Sequence, residues 1–140
     1  MRPEDMKERT MLYALRIIKV VKALGRSLEA DVIARQLLKA GTSVPANYRA
    51  ACRARSRSEF VAKMGIVEEE ADESVFWLEL IVRARMLRTS SLKGLLAEGN
   101  EIVAIAVKSK QTARSRDTGR RRAAARPGGA RESAIDNRKS

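Results

Sequence analysis

Apolar residues recur along this chain every three or four positions over long stretches, with brief polar breaks between them, and that period is helical. Between about Asp5 and Leu24 the set Met11, Leu12, Ala14, Leu15, Ile18, Val21 and Leu24 covers a broad face, and Arg16, Lys19 and Lys22 line the rest. Asp5 with Glu8 offers a D-x-x-E start, and Gly25 suits the position after a last turn. A second helix is expected after Ser27, with Glu29 and Asp31 set against the positive end of its dipole. Its stripe is Ile33, Leu37, Gly41, Val44, Tyr48 and Ala51, and the step is kept across Pro45. The pattern therefore predicts a helix that bends near the proline and continues. Gly41, Pro45 and Asn47 are the residues expected to shape that kink, the Asn47 amide bonding backbone groups the proline frees. Gly41 admits two readings, a close approach by a neighbouring helix or relief of the clash with the proline.

A third helix is expected from about Arg57 to Leu87, some 45 Å long. It carries one stripe through Phe60, Met64, Val67, Ala71, Ser74, Leu78 and Ile81 and a second through Trp77, Leu80, Ala84 and Leu87. Two stripes imply two packing partners. Ser56 and Glu59 have capping-box spacing at its start, while Glu59 with Lys63 and Glu79 with Arg83 form favourably ordered i, i+4 pairs. A fourth helix should follow Thr89-Ser90-Ser91, bury Leu92, Leu95, Leu96, Ile102, Val103 and Ala106, and fade beyond Lys110. Four amphipathic helices with short connections predict an all-α fold, an antiparallel up-down-up-down four-helix bundle with a Pro-kinked second helix, spanning residues 1–115. From Arg116 the chain turns to Arg, Ala, Gly and Ser, too poor in apolar groups to offset ordering entropy, so residues 116–140 read as a disordered basic C-terminal tail.

Composition agrees with this. Aromatic residues make up 4% and hydrophobic ones 44%, so the core must be aliphatic, and no Asn-Gly or Asp-Gly turn punctuates alternating strands. Cys52 is the only cysteine, which rules out an intrachain disulfide. The charged opening residues carry no apolar leader pattern and no run is long enough for a membrane span, so a cytoplasmic protein with no membrane partner is expected. The first helix could lie on a membrane surface, but three more such helices follow, which favours a core-facing role. The formal net charge is +12, and residues 116–140 alone hold eight Arg or Lys against three acids. That balance favours polyanionic partners, although positive charge also serves solubility.

The chain has no histidine, which removes the commonest general base, Ser-His and Cys-His nucleophile pairs, and His-containing metal sites. No Gly-rich phosphate loop of Walker or Rossmann type is present. No catalytic residue, cofactor or metal is expected. Glu68, Glu69, Glu70, Asp72 and Glu73 are consecutive enough to point around a helix instead of converging, and read as a solvated or partner-facing face. Cys52 lies among Arg49, Arg53 and Arg55, cations that could activate a thiol, though a packed or idle cysteine is the plainer reading. Arg49, Arg53 and Arg57 are four apart and would share a helix face, with Arg55 adjacent, each fork suited to phosphate. Together with Arg120, Arg121 and Arg122 of the tail they are the candidate nucleic-acid-binding residues. The competing reading pairs these arginines with Glu69, Asp72 and Glu73, within the chain or across a head-to-tail subunit contact.

The run Ser43-Val44-Pro45-Ala46-Asn47, followed by Arg55-Ser56 and Glu59-Phe60 and then a long acidic helix, resembles the bacterial four helix bundle proteins encoded within intervening sequences of 23S ribosomal RNA genes. The likeness covers about residues 6–113, and the order S-[IV]-P-A-N then S-x-x-E-F is an unusual one. Members often carry Ala-Glu-Gly after the asparagine, where this chain has Arg49-Ala50-Ala51 and is more basic. The resemblance implies a left-handed up-down bundle assembling as a ring-like homopentamer. The chain is also similar to accessory proteins of diversity-generating retroelements, which implies RNA or DNA and a reverse transcriptase as possible partners. The expected function is thus a non-enzymatic, self-associating bundle binding nucleic acid through a basic surface. The alternative is a protein-binding scaffold whose arginines are used at subunit contacts.

Overall fold

A computed structural model describes residues 1–125, and the tail beyond them lies outside the described part. Four helices follow one another: α1 (Pro3–Ala23), α2 (Leu28–Cys52), α3 (Arg57–Arg83) and α4 (Thr89–Ala125). Each packs on the next, and α1 also touches α4, closing a four-helix bundle. The bundle is antiparallel: Arg9 reaches Glu98 while Arg16, further along α1, lies beside Gly94, earlier in α4. No helix among the described residues is long and apolar enough to cross a membrane.

The helix starts follow local chemistry. Ser27 accepts the Ala30 N–H at 3.1 Å and caps α2. Ser56 accepts the Glu59 N–H at 3.0 Å, and Glu59 reaches back to the N–H of Arg55, one residue earlier than the usual capping box. α1 begins two residues sooner than the D-x-x-E spacing suggests, because Pro3 occupies its first turn, where a missing N–H costs nothing. α3 stops at Arg83, short of Leu87. Arg85 adopts a left-handed φ of 59°, and the N–H groups of Arg85 and Met86 bond the carbonyls of Val82 and Ile81 in a Schellman closure. No glycine marks that turn.

The proline does not interrupt α2. Around it, Thr42 and Ser43 hydroxyls donate to the carbonyls of Leu38 and Lys39, and the Asn47 amide donates to the Ser43 carbonyl at 2.8 Å. The carbonyl that Pro45 deprives of its partner belongs to Gly41, so the amide bonds a neighbouring turn and not the group it was expected to rescue. Gly41 itself is a contact point: a Cβ there would stand 2.8 Å from Ile17 Cγ2, so α1 presses directly on the α2 backbone.

The core holds the expected stripe of α2 and the first stripe of α3 from Met64 to Ile81, while Phe60 and the second α3 stripe, Trp77, Leu80 and Leu87, are only partly buried and Ala84 is exposed. α1 differs. Its buried line is Met6, Thr10, Tyr13, Ala14, Ile17 and Val20, whereas Met11, Leu12 and Leu15 are 47%, 49% and 48% exposed. Leu12 and Leu15 lie among the charged residues of α1, beside Arg16 and Lys19, and the buried phase includes two residues whose polar atoms find partners. Thr10 donates to the Met6 carbonyl, and Tyr13 reaches across the core to Ser74 at 2.7 Å, while Ser74 donates to the Ala71 carbonyl. Gly99 of α4 packs onto this junction; a Cβ there would lie 2.6 Å from both Tyr13 Oη and Val75 Cγ2.

Three further expectations differ from the structure. Glu68 is not part of an outward acidic face, since it turns to α4 and pairs with Lys110 at 2.5 Å. Residues 116–125 are helical, not disordered: once Ala113 is buried against the bundle, nothing in the next dozen residues breaks a helix except Gly119, and α4 runs on to Ala125. The ion pairs Glu59–Lys63 and Glu79–Arg83 do not close among the described residues.

Candidate nucleic-acid interface

The end of the bundle where α2 hands over to α3 collects the basic residues. Arg49 sits in the last turn of α2 and Arg53 is its C-cap, positions where a cation also complements the negative end of the helix dipole. Cys52 ends the helix, so Arg57 opens α3 and does not share a helix face with Arg49 and Arg53. The exposed Arg49, Arg53 and Arg55 nonetheless border one open groove of about 540 Å³ with Ala46, Ala50, Glu59 and Lys63, while Arg57 is half-buried and outside it. None of the four guanidinium groups forms an ion pair with a carboxylate among the described residues, so no pairing with the acidic face is seen there. Lys63, one turn beyond the capping Glu59, was not picked out from the sequence because its i, i+4 relation to Glu59 suggested an ion pair.

A second cleft opens beside the first, at the same end. Met1, Pro3, Met6, Tyr48, Phe60 and Ala113 form its apolar floor, and Lys108 and Arg116 stand at its margin. Burial, and then the Cys52 thiol one turn on, push the Tyr48 hydroxyl well above its ordinary range, so it remains a neutral donor. Cys52 is exposed and free. The register set by Gly99 against Val75 and Lys110 beside Glu68 brings the last turns of α4 back to this end. Arg120, Arg121 and Arg122 are exposed there, Arg121 carrying an i, i+4 pair to Asp117 at 3.2 Å.

The acidic side chains lie elsewhere, on the outer face of α3. Glu69, Asp72 and Glu73 are exposed beside Phe76, and Trp77 donates weakly to Glu73 at 3.4 Å. Burial together with Glu73 and Glu69 raises the Glu70 carboxyl, against the pull of Lys39. No group of three or more acidic, His or Cys side chains among the described residues is arranged to hold a metal ion.

What these features define as a class is an all-helical four-helix bundle with a cationic end and an acidic flank. The profile of the 23S rRNA-intervening sequence proteins matches residues 4–108, three quarters of the chain, and the chain belongs to that family. It is similar to a crystal structure of a protein of unknown function from the S23 ribosomal protein family of Bacteroides thetaiotaomicron. The two share 31% identity and a TM-score of 0.70, over 74% of this chain and 96% of that one. No curated protein matches. The matched span stops at residue 108, so the last turns of α4, with their arginines, lie beyond what the family profile describes.

Proposed function

We propose that this protein is a non-enzymatic, self-associating bundle that binds RNA or DNA through phosphate contacts at its basic end. The observation that carries this reading is the groove at the α2–α3 elbow, where three exposed arginines and Lys63 converge and, among the described residues, none of the arginine guanidinium groups forms an ion pair. Guanidinium forks held on a rigid scaffold suit phosphate oxygens and read no base, so weak sequence preference is expected. Three phosphates neutralised on a single strand give a log-log salt slope of about −2, and replacing Arg49 and Arg53 by Gln should flatten it by about 1.4. Filter binding across a salt series measures this, and a slope unmoved by the double substitution sinks the assignment. Self-association is supported by the unpartnered apolar face of α1, with a ring of five copies expected from the resemblance. In a retroelement setting a reverse transcriptase would be the further partner.

One observation favours a second reading. The exposed Glu69, Asp72 and Glu73 close no ion pair among the described residues, and a neighbouring copy's elbow would supply one. If the arginines are used that way, changing Arg53 and Arg57 to Glu dissolves the oligomer in light scattering. An intact oligomer that has lost nucleic acid supports the first reading.

A further inference from the structure

The last twelve residues of α4, 114–125, bury almost nothing: all are exposed except the half-buried Asp117. They form some 18 Å of helix with Arg114, Arg116, Arg120, Arg121 and Arg122 against one acid, Asp117. A stretch this short is marginal as a helix in water, and like charges one turn apart weaken it further. Among the described residues, its continuity with the buried part of α4 and the Asp117–Arg121 pair are what support it. At about 100° per residue, Arg114 and Arg121 share one flank while Arg116 and Arg120 share a nearly opposite one, with Arg122 between them on the third side.

We infer that this segment is a helix completed by its ligand, and that the ligand is the major groove of duplex DNA. The inference rests on the nucleic-acid reading above. A single strand passes along one side of a helix and leaves the opposite guanidiniums unmatched, whereas a groove presents phosphates on both walls. The B-form major groove, about 12 Å wide, admits an α-helix. The A-form major groove of duplex RNA is too narrow for one. Phosphates on both flanks remove the repulsion that frays the segment, so binding and helix formation are coupled, and the elbow arginines at the same end of the bundle hold the flanking backbone.

Gly119 supplies the test, because it lies within the segment and a Cβ there meets nothing within 4 Å. Gly119→Ala and Gly119→Pro leave the charge untouched and move helix propensity in opposite directions. With the full chain and a DNA duplex of about two turns, Gly119→Ala should tighten binding about fivefold and Gly119→Pro should weaken it at least about tenfold. Hydrogen exchange over 114–125 should slow on adding that duplex and stay fast with a single strand or an RNA duplex. Equal affinity of the two variants, or equal slowing by all three nucleic acids, overturns this inference and leaves the elbow reading standing. Absence of binding to any of the three by the unaltered chain overturns both.

Discussion

Gly99 and Tyr13 occupy the tightest point of the core, where α1, α3 and α4 meet. A methyl group at position 99 has no room beside Tyr13 Oη and Val75 Cγ2, both 2.6 Å away, and neither is the free end of a flexible chain. Gly99→Ala should therefore cost about 1–3 kcal/mol despite its better helix propensity, measurable by urea denaturation. The Tyr13 hydroxyl carries a pH signature. Burial pushes it up to about 12, outweighing the Ser74 hydrogen bond that favours ionisation, whereas the unfolded chain loses this proton near its ordinary value of 10. Because the folded value is the higher one, the stabilisation is whole below pH 10 and disappears between about 10 and 12, a loss of about 3 kcal/mol. Urea midpoints across that interval should fall in the native chain, and Tyr13→Phe should remove the part of the slope due to this group. Neither residue announces its role in the sequence: a glycine within a helical pattern and a tyrosine off the chosen stripe both look incidental until three helices are brought together.

Among the elements, α2 and α3 were legible and α1 and α4 less so, for a physical reason. An amphipathic helix with one apolar face reveals its orientation through its period, and the stripe of α2 and the first stripe of α3 from Met64 on are buried as written, whereas the second stripe of α3 is only half-buried and its Ala84 is exposed. In α1, Leu12 and Leu15 are interleaved with the charged residues and blur the edge of the apolar face, so the pattern allows more than one phase until the polar atoms of Thr10 and Tyr13 find partners. α4 outlasts its own apolar period because helix propagation needs only a helical turn to build on, and Arg and Ala are good helix formers. The short α3–α4 connection was mislaid for the opposite reason, a left-handed residue that is not glycine. Arg85→Gly should stabilise the fold by about 1 kcal/mol by removing the crowding between Cβ and backbone at φ 59°. An unchanged thermal midpoint would show that the arginine side chain compensates through contacts of its own.

For the molecule as a whole, the distribution of surface matters more than the core. Leu12 and Leu15 lie half exposed on α1, among Arg16, Lys19 and Lys22. On the far side of the bundle, α3 displays Phe76 among acids. An apolar-basic face and an apolar-acidic face on opposite sides of one molecule are complementary between copies. If the chain self-associates as proposed above, Leu12→Glu with Leu15→Glu should reduce the scattering mass to that of a single chain while leaving the helical circular dichroism intact, because neither side chain supports the core. A mass that stays high moves the contact to another surface.

The elbow of α2 and α3, the first turn of α1 and the last turns of α4 all stand at one pole, since Met1 and Pro3 share a cleft with Tyr48, Phe60 and Arg116. An affinity tag or fluorophore fused ahead of Met1 would consequently sit beside the guanidinium-rich surface and compete with the nucleic acid proposed to bind there. The turns at residues 24–27 and 84–88 face the other pole, and a label inserted in one of them reports on the protein without blocking it.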